Sequence, residues 1–413
     1  MGAPENSART LPAQSRDGRL RWPVGLTIVL TLGLVAATFL QSSVSVLSRY
    51  LIEAFGLSRS DLGLVLTVFG LTGAATAPLM GRAADVLGGR GVLVGVFVAT
   101  IAATLLMANA RGVWQLVAAA VVGGLGLGAG NPATNKLSTS GVSVEHQGAV
   151  MGIKQAGPPL GVLVAGVALP GTAAALGWRP AFAISAVLPL VGLAALYRTM
   201  PSAASRAWLQ PERVLIKAGA TVWWPTVVGF LVSTGAGAIG AFLPLYAQEM
   251  LGLSTPTAGA LASLAGVMGI VGRVAWGWQA FRFRRMTLPL VLVAIIAVIA
   301  TGALWAADGI GSWMLWIGAS LAGVSILSWH ALGWLVLVHG VEPGAVGGAS
   351  GIMHLGSSVG FGLGPLLFGL VVDGMSYSGA WALMTFLFVL ATGLTWLWHR
   401  RSMGARHAEQ SVW

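Results

Sequence analysis

The sequence has no cysteine and very little charge. Without cysteine there is no disulfide framework, no thiol nucleophile and no thiolate metal site, and no metal or other cofactor is expected. Charged residues make up 8% of the 413-residue chain. That is about a third of their share in a soluble domain, too little to cover a water-facing surface, so soluble enzymes and secreted modules are excluded. Alternation of apolar and polar residues is also missing, which excludes an outer-membrane barrel. Acids are scarcer than bases, 12 Asp and Glu against 23 Lys and Arg, for a formal charge of +11. In a soluble protein that excess would point to nucleic acid. In a membrane protein it reflects basic loops on the cytoplasmic side, and no nucleic-acid partner is expected.

What fills the sequence instead is apolar residues, 56% of the total, in runs of about twenty that read as membrane-spanning helices. Twelve runs are found, at 23–47, 61–80, 90–109, 113–137, 147–171, 178–197, 222–247, 257–279, 287–306, 311–338, 345–371 and 378–398. The predicted fold is an all-α membrane protein with twelve transmembrane helices in two six-helix bundles. The longest polar break, 199–221, divides an N-terminal bundle (22–198) from a C-terminal one (222–399). It is read as a cytoplasmic linker, with cytoplasmic tails at 1–21 and 400–413. Placing the N-terminus inside puts sixteen basic residues on the cytoplasmic side and only Arg49, Arg59, Arg111 and Arg179 outside, an asymmetry that sets orientation. High Gly and Ala suggest a bacterium, and hence its inner membrane, as the location.

The two halves repeat. Tyr50, Glu53, Gly56, Leu57, Ser58 and Gly63 recur as Tyr246, Glu249, Gly252, Leu253, Ser254 and Gly259. Gly148, Gly152, Ile153, Gly157 and Gly161 recur as Gly347, Gly351, Ile352, Gly356 and Gly360. A parallel repeat of six helices is the architecture of transporters with a site between the halves. Tyr50 and Tyr246 are read as aromatics of the outer membrane interface.

The loop after the second span reads Gly81-Arg82-Ala83-Ala84-Asp85-Val86-Leu87-Gly88-Gly89-Arg90. It resembles the G-x-x-x-D-x-x-G-x-R signature of the major facilitator superfamily, in the place that family puts it, and the likeness covers nearly the whole chain. It implies a gating role for Gly81, Asp85 and Arg90, with Asp85 accepting from Arg90 or from a neighbouring helix N-terminus. The equivalent loop of the second half carries Phe281 in place of the Asp and Arg284 in place of the Gly. The carboxylate lock is therefore expected once, and Arg282, Arg284 and Arg285 are read as contacts to lipid phosphate.

Charges inside spans are costly and mark function. Lys154 on span five and Arg273 on span eight lie well inside; Lys136 lies near the end of span four and is read as a boundary residue. None of the twelve acids lies in mid-span, so the two deep cations lack an evident carboxylate. A bound anion would supply one, Arg offering a bidentate fork. Two other readings stay open: Lys154 is held neutral, or each cation bonds helix-end carbonyls. Gly272-Arg273-Val274-Ala275-Trp276-Gly277 resembles the oxalate:formate exchangers and monocarboxylate transporters, in which an Arg at this place binds the substrate carboxylate. Those exchangers carry a second cation as Lys on span eleven. Here that region has Met353 and His354, and Lys154 is the candidate for the role.

Asn131 and Asn135 share a face of span four, Gln155 follows Lys154, and His354 and Ser358 share a face of span eleven. All five are candidate substrate-binding residues, with helix packing as the alternative. His354 is also the candidate proton carrier; His330, between Trp329 and bulky neighbours, is the poorer one. Gly157-Pro158-Pro159-Leu160-Gly161, followed by Val162, partly resembles the antiporter motif of drug exporters and reads structurally as a kink. The expected function is secondary transport of a small organic anion, a monocarboxylate, by alternating access, through proton symport or anion exchange. The alternative is an exporter of amphipathic drugs or metabolites. The expected partners are the anion, a proton and membrane lipid, and the expected state is a monomer.

Overall fold

The computed structural model describes residues 24–200, 219–280, 287–341 and 346–410. The expectations for the N-terminal tail, most of the linker and Phe281–Arg285 fall outside the described residues. Fifteen helices follow one another, with no strand among the described residues: α1 (Val24–Val46), α2 (Ser48–Phe55), α3 (Arg59–Ala108), α4 (Val113–Gly141), α5 (Val144–Lys154), α6 (Gly157–Leu176), α7 (Trp178–Ser185), α8 (Val187–Thr199), α9 (Ala220–Glu249), α10 (Thr255–Ala280), α11 (Thr287–Ile310), α12 (Trp313–Val324), α13 (Trp329–Gly340), α14 (Val346–Gly374) and α15 (Tyr377–Gln410). Eleven described segments are long and apolar enough to cross a membrane. One of them, α3, has 50 residues. At 1.5 Å per residue that is about 75 Å, more than twice a bilayer core of about 30 Å. Gly88 divides it, with φ 80° and ψ 152°, a conformation that glycine alone adopts without strain. The loop-motif glycine is thus the hinge between spans two and three, and the expected twelve spans are accounted for.

Local chemistry starts and stops these helices. Ser58 opens α3 with a capping box: its hydroxyl accepts from the Asp61 N–H at 3.0 Å, while the Asp61 carboxylate accepts from the Ser58 N–H at 2.9 Å. The repeat is visible in the backbone, since Gly56 and Gly252 both take left-handed φ, 62° and 61°. Spans five and ten are each broken in the middle. Pro158 and Pro159 have no N–H, so the carbonyls of Lys154 and Gln155, four residues earlier, lose their helical donors; α5 ends there and α6 begins. In span ten the Ala331 N–H bonds Ser328 O at 3.1 Å rather than Leu327 O, and α12 gives way to α13.

The halves meet along two antiparallel pairs, α3 with α14 and α6 with α10. Glycine sets how closely they meet: a Cβ on Gly70 would lie 2.5 Å from Gly362 Cα. Three turns further along the same helix faces the contact is gone. Among the described residues, Gly81, Gly152, Gly277 and Gly351 have nothing within 4 Å of where a Cβ would stand. The halves are therefore joined at the end where α3 begins and splayed at the end bearing Asp85.

Candidate functional site

The joined end is tied by charge. The Arg59 guanidinium donates twice to Glu249 at the end of α9, at 2.9 and 3.2 Å, and the Tyr377 hydroxyl donates to the same carboxylate at 2.6 Å. Asp373 at the end of α14 accepts from the N–H groups of Arg59 and Ser60 at 3.1 and 2.7 Å. A carboxylate of one half thus caps a helix of the other, where the helix N-terminus favours negative charge. Sequence reasoning missed this lock; the repeated Tyr-x-x-Glu-x-x-Gly-Leu-Ser stretch was its only signal. Tyr246 of that stretch is 1% exposed and packs on the Tyr377 and Trp381 rings at 5.2 and 5.4 Å. It is a core aromatic, contrary to the interfacial reading.

At the splayed end Asp85 pairs with Lys136, on α4, at 2.8 Å. This corrects two expectations. Asp85 does not accept from Arg90, whose guanidinium stacks over the Tyr197 ring at 5.1 Å, and Lys136 is more than a boundary residue. The reason is geometric: the turn at Gly88 carries Arg90 into the next span, while α3 and α4 pack side by side. Gly81 lies on α3 one turn before Asp85, in open space.

Between the two ends, the midpoint collects most of the expected polar residues. Lys154, fully buried, donates to the Thr134 hydroxyl at 3.0 Å and to Asn135 Oδ1. Thr134 hands the bond on to Gly130 O at 2.8 Å. Gln155 donates to Asn131 Oδ1 at 3.1 Å. The four residues Asn131, Asn135, Lys154 and Gln155 therefore form one cluster between α4 and the α5–α6 break. Neither Lys154 nor Arg273 forms an ion pair among the described residues. Burying an ammonium on neutral oxygens alone costs several kcal/mol, of the order seen for other uncompensated buried ions.

Arg273 joins that cluster to the other half. Its guanidinium donates to Gln155 O and, through Nε, to Leu327 O at 3.1 Å. Both acceptors are carbonyls set free by the breaks in spans five and ten, and they belong to opposite halves. Arg273 is half-buried and lies at the level where the α6–α10 contact ends. The chemistry available there is a delocalised cation, held by neutral oxygens, beside a gap that opens toward the Asp85 end.

His354 is half-buried on α14 near the Trp334 ring, at 6.3 Å. Ser358, one turn on, is half-buried and no hydrogen bond ties it to the cluster. His330, in the first turn of α13, bonds Ser233 of α9 through Nε2 at 3.1 Å. α13 packs against α10, which carries Arg273, and against α14, which carries His354. Sequence spacing gave no sign of this approach, because it comes from helix packing across 57 and 24 positions of sequence.

The model of the Major Facilitator Superfamily matches residues 29–341. A protein of Cupriavidus necator described as a probable sulfoacetate transporter is 26% identical over 361 residues, covering 80% of this chain and 83% of that one. The hexuronate transporter of Bacillus subtilis is 23% identical over 385 residues, covering 85% and 89%. Among solved structures, a bacterial homolog of the human lysosomal transporter Spinster, in an inward-facing conformation, superposes with a TM-score of 0.71 at 18% identity, covering 92% of this chain and 97% of that one.

Proposed function

The chain belongs to the major facilitator superfamily, and on that premise we propose that this multi-pass membrane transporter moves a small organic anion by alternating access, with Arg273 binding the acid group. The observation that carries this reading is the placement of Arg273. It is a half-buried cation at the junction of the halves, next to the gap, held by two main-chain oxygens among the described residues. A carboxylate or sulfonate offers the same fork a charged, bidentate partner, stronger than a neutral carbonyl. The substrates in the names of the two relatives above, sulfoacetate and hexuronate, are acids of this kind, and a monocarboxylate fits the same description.

Lys154 has a different part in this reading. Being fully buried, it holds Asn135 in place and adds positive potential behind the cluster, while Asn131 and Gln155 present amide groups nearer the gap. Gln155 O is the contact that an entering acid displaces, so binding releases a tie between the halves. The splayed end faces the cytoplasm of a bacterial inner membrane, by the excess of basic residues on that side. The tails lie there too, and 199–221 links the two bundles of a monomer.

The test is uptake into proteoliposomes of labelled lactate, pyruvate, glucuronate, sulfoacetate, a neutral sugar and a lipophilic cation, with Arg273→Ala and Arg273→Lys beside the wild type. Saturable uptake of at least one acid is expected, reduced about 10- to 100-fold in Arg273→Ala, the loss of one charged hydrogen-bonded contact. Transport of the lipophilic cation that survives Arg273→Ala would replace this reading with the amphipathic-exporter one.

A further inference from the structure

At the joined end the two halves differ in charge. The C-terminal half carries three acids there, Glu249, Asp308 and Asp373, and no Lys, Arg or His within 244–257, 305–316 or 370–383. The N-terminal half supplies partners for two of them: Arg59 for Glu249, and the N–H groups of Arg59 and Ser60 for Asp373. Asp308 is left over. It is exposed in the last turn of α11 and forms no ion pair among the described residues. Beside it lies a cavity of about 420 Å³ between α9, α11 and α15.

We propose that this cavity binds a phospholipid with a primary ammonium in its head, phosphatidylethanolamine, holding the ammonium on Asp308, the phosphate at Ser378 and an acyl chain along α11. The inference goes beyond the transport reading and does not depend on which solute is moved. Trp305, one turn before Asp308, lines the same cavity, and its indole N–H donates to Ser378 Oγ at 2.7 Å. That bond fixes a ring whose face attracts a cation. Having accepted from Trp305, the Ser378 hydroxyl keeps its own proton to donate to a phosphate oxygen. The buried Tyr246 closes the floor. A calcium ion would want about six to eight oxygen ligands, and the lining offers a single carboxylate.

The remaining wall is apolar and runs into the bilayer. Gly302, Ala306 and Ile310 line the cavity at i, i+4 spacing and so share one face of α11. The stripe is about 12 Å long at 1.5 Å per residue. It continues the face of Ile295 and Ile299, which are exposed in the middle of the span; apolar side chains exposed at that depth are turned to lipid. A Cβ on Gly302 would meet nothing within 4 Å among the described residues, so the glycine leaves a trough in the stripe. A chain lying in it brings its head to the level of Asp308, at the helix end. Phosphatidylglycerol would bring that carboxylate only more negative charge, and free ethanolamine would leave the trough empty.

The experiment is native mass spectrometry of the full-length protein in detergent, titrated with palmitoyl-oleoyl phosphatidylethanolamine, with phosphatidylglycerol of the same chains and with free ethanolamine. The wild type is expected to hold one phosphatidylethanolamine about tenfold or more tighter than either other probe, the scale of one charged hydrogen bond. Asp308→Asn, at an exposed position without an ion pair, is expected to keep the wild-type Tm and to lose that preference. Gly302→Leu, which fills the trough and leaves the acid in place, is expected to weaken phosphatidylethanolamine about tenfold. Phosphatidylethanolamine held equally by the wild type and Asp308→Asn overturns the proposal. So does a wild type that holds the two lipids alike, or an affinity that Gly302→Leu leaves unchanged. Free ethanolamine bound as tightly as the lipid overturns it as well, and would make the cavity a site for soluble amines.

Discussion

Spans five and eleven occupy equivalent places in the repeat, and the protein uses them in opposite ways. Both carry the same glycine frame, from Gly148 to Gly161 and from Gly347 to Gly360. Within that frame Lys154 stands opposite Met353, Gln155 opposite His354, and Pro158 and Pro159 opposite Ser357 and Ser358. Span five is accordingly broken into α5 and α6, with a carbonyl at Gln155 freed from the helix and the Lys154 amine in its core. Span eleven is one unbroken helix through the same level, α14, with a thioether in its core. The glycines set how helices pack, and two prolines decide whether the backbone itself becomes a functional group. In this molecule the broken copy offers the oxygen that Arg273 grips from the other half.

The largest expected effect comes from making span five like span eleven. In Pro158→Ser/Pro159→Ser, position 159 regains an N–H that claims Gln155 O within a continuous helix. Arg273 then loses one of its two acceptors. A charged hydrogen bond is worth about 1.5–3 kcal/mol, so the joined state shown here should weaken about 10- to 100-fold against its alternative. Because the chain has no native cysteine, a single Gly351→Cys reports this directly. Gly351 stands in open space at the splayed end, and its labelling by a thiol reagent should slow about tenfold in the double variant. An unchanged labelling rate would mean that the free carbonyl is not what holds this state.

The same comparison runs at the other end of the molecule. Glu53 and Glu249 are repeat partners, yet among the described residues Glu53 pairs only with Arg49, one turn away on an exposed helix face. Glu249 takes Arg59 and Tyr377 and ties the halves. Glu249→Gln should shift the Gly351→Cys labelling in the same direction as the proline variants, by roughly 1–2 kcal/mol for a partly exposed network. Glu53→Gln should leave it within about 0.5 kcal/mol, as surface pairs do. Equal effects from both would remove Glu249 from the lock.

How much of this was legible beforehand follows from the range of each interaction. Twelve spans, the repeat, the loop motif and the kink at Pro158-Pro159 are written in local pattern, and each is found in the fold. Asn131, Asn135, Lys154 and Gln155 are each legible as polar residues inside spans, but their meeting between α4 and the α5–α6 break is not, since it is set by packing across 19 and 24 positions. Other contacts set by packing between helices were not legible either. Lys136 meets Asp85 across 51 positions and Arg59 meets Glu249 across 190; His330 meets Ser233 across 97. No spacing rule reaches that far. The free carbonyl at Gln155 was within reach, because a proline always strips the acceptor four residues before it. The kink was read as shape and not as chemistry.

A smaller effect is expected at Lys154. Lys154→Met installs what span eleven already carries at a fully buried position, so packing volume is kept while the charge is removed. If Lys154 acts on the anion through its field, the KM for the transported acid should rise about tenfold, as for loss of about 1.4 kcal/mol, while thermal stability holds or rises as an uncompensated buried group is removed. A KM that does not move would reduce Lys154 to a helix-packing residue and leave Arg273 as the sole cation of the site.

The smallest effect is expected on the unbroken copy. Ser357 stands where span five has Pro158, and its hydroxyl is buried without a hydrogen-bond partner. Next to Gly229, on α9, it lies where a Cβ on that glycine would sit 2.9 Å away, so the hydroxyl is wedged against a neighbouring backbone with nothing to accept it. Removing an unsatisfied buried polar atom is neutral or stabilising, by up to about 1 kcal/mol. Ser357→Ala should thus hold or raise the Tm in detergent by a degree or two and leave acid uptake as it was. A fall in Tm would show that the hydroxyl is satisfied in some state of the cycle. Span eleven would then contribute a polar group of its own, and the division between a chemically active copy and a merely structural one would no longer hold.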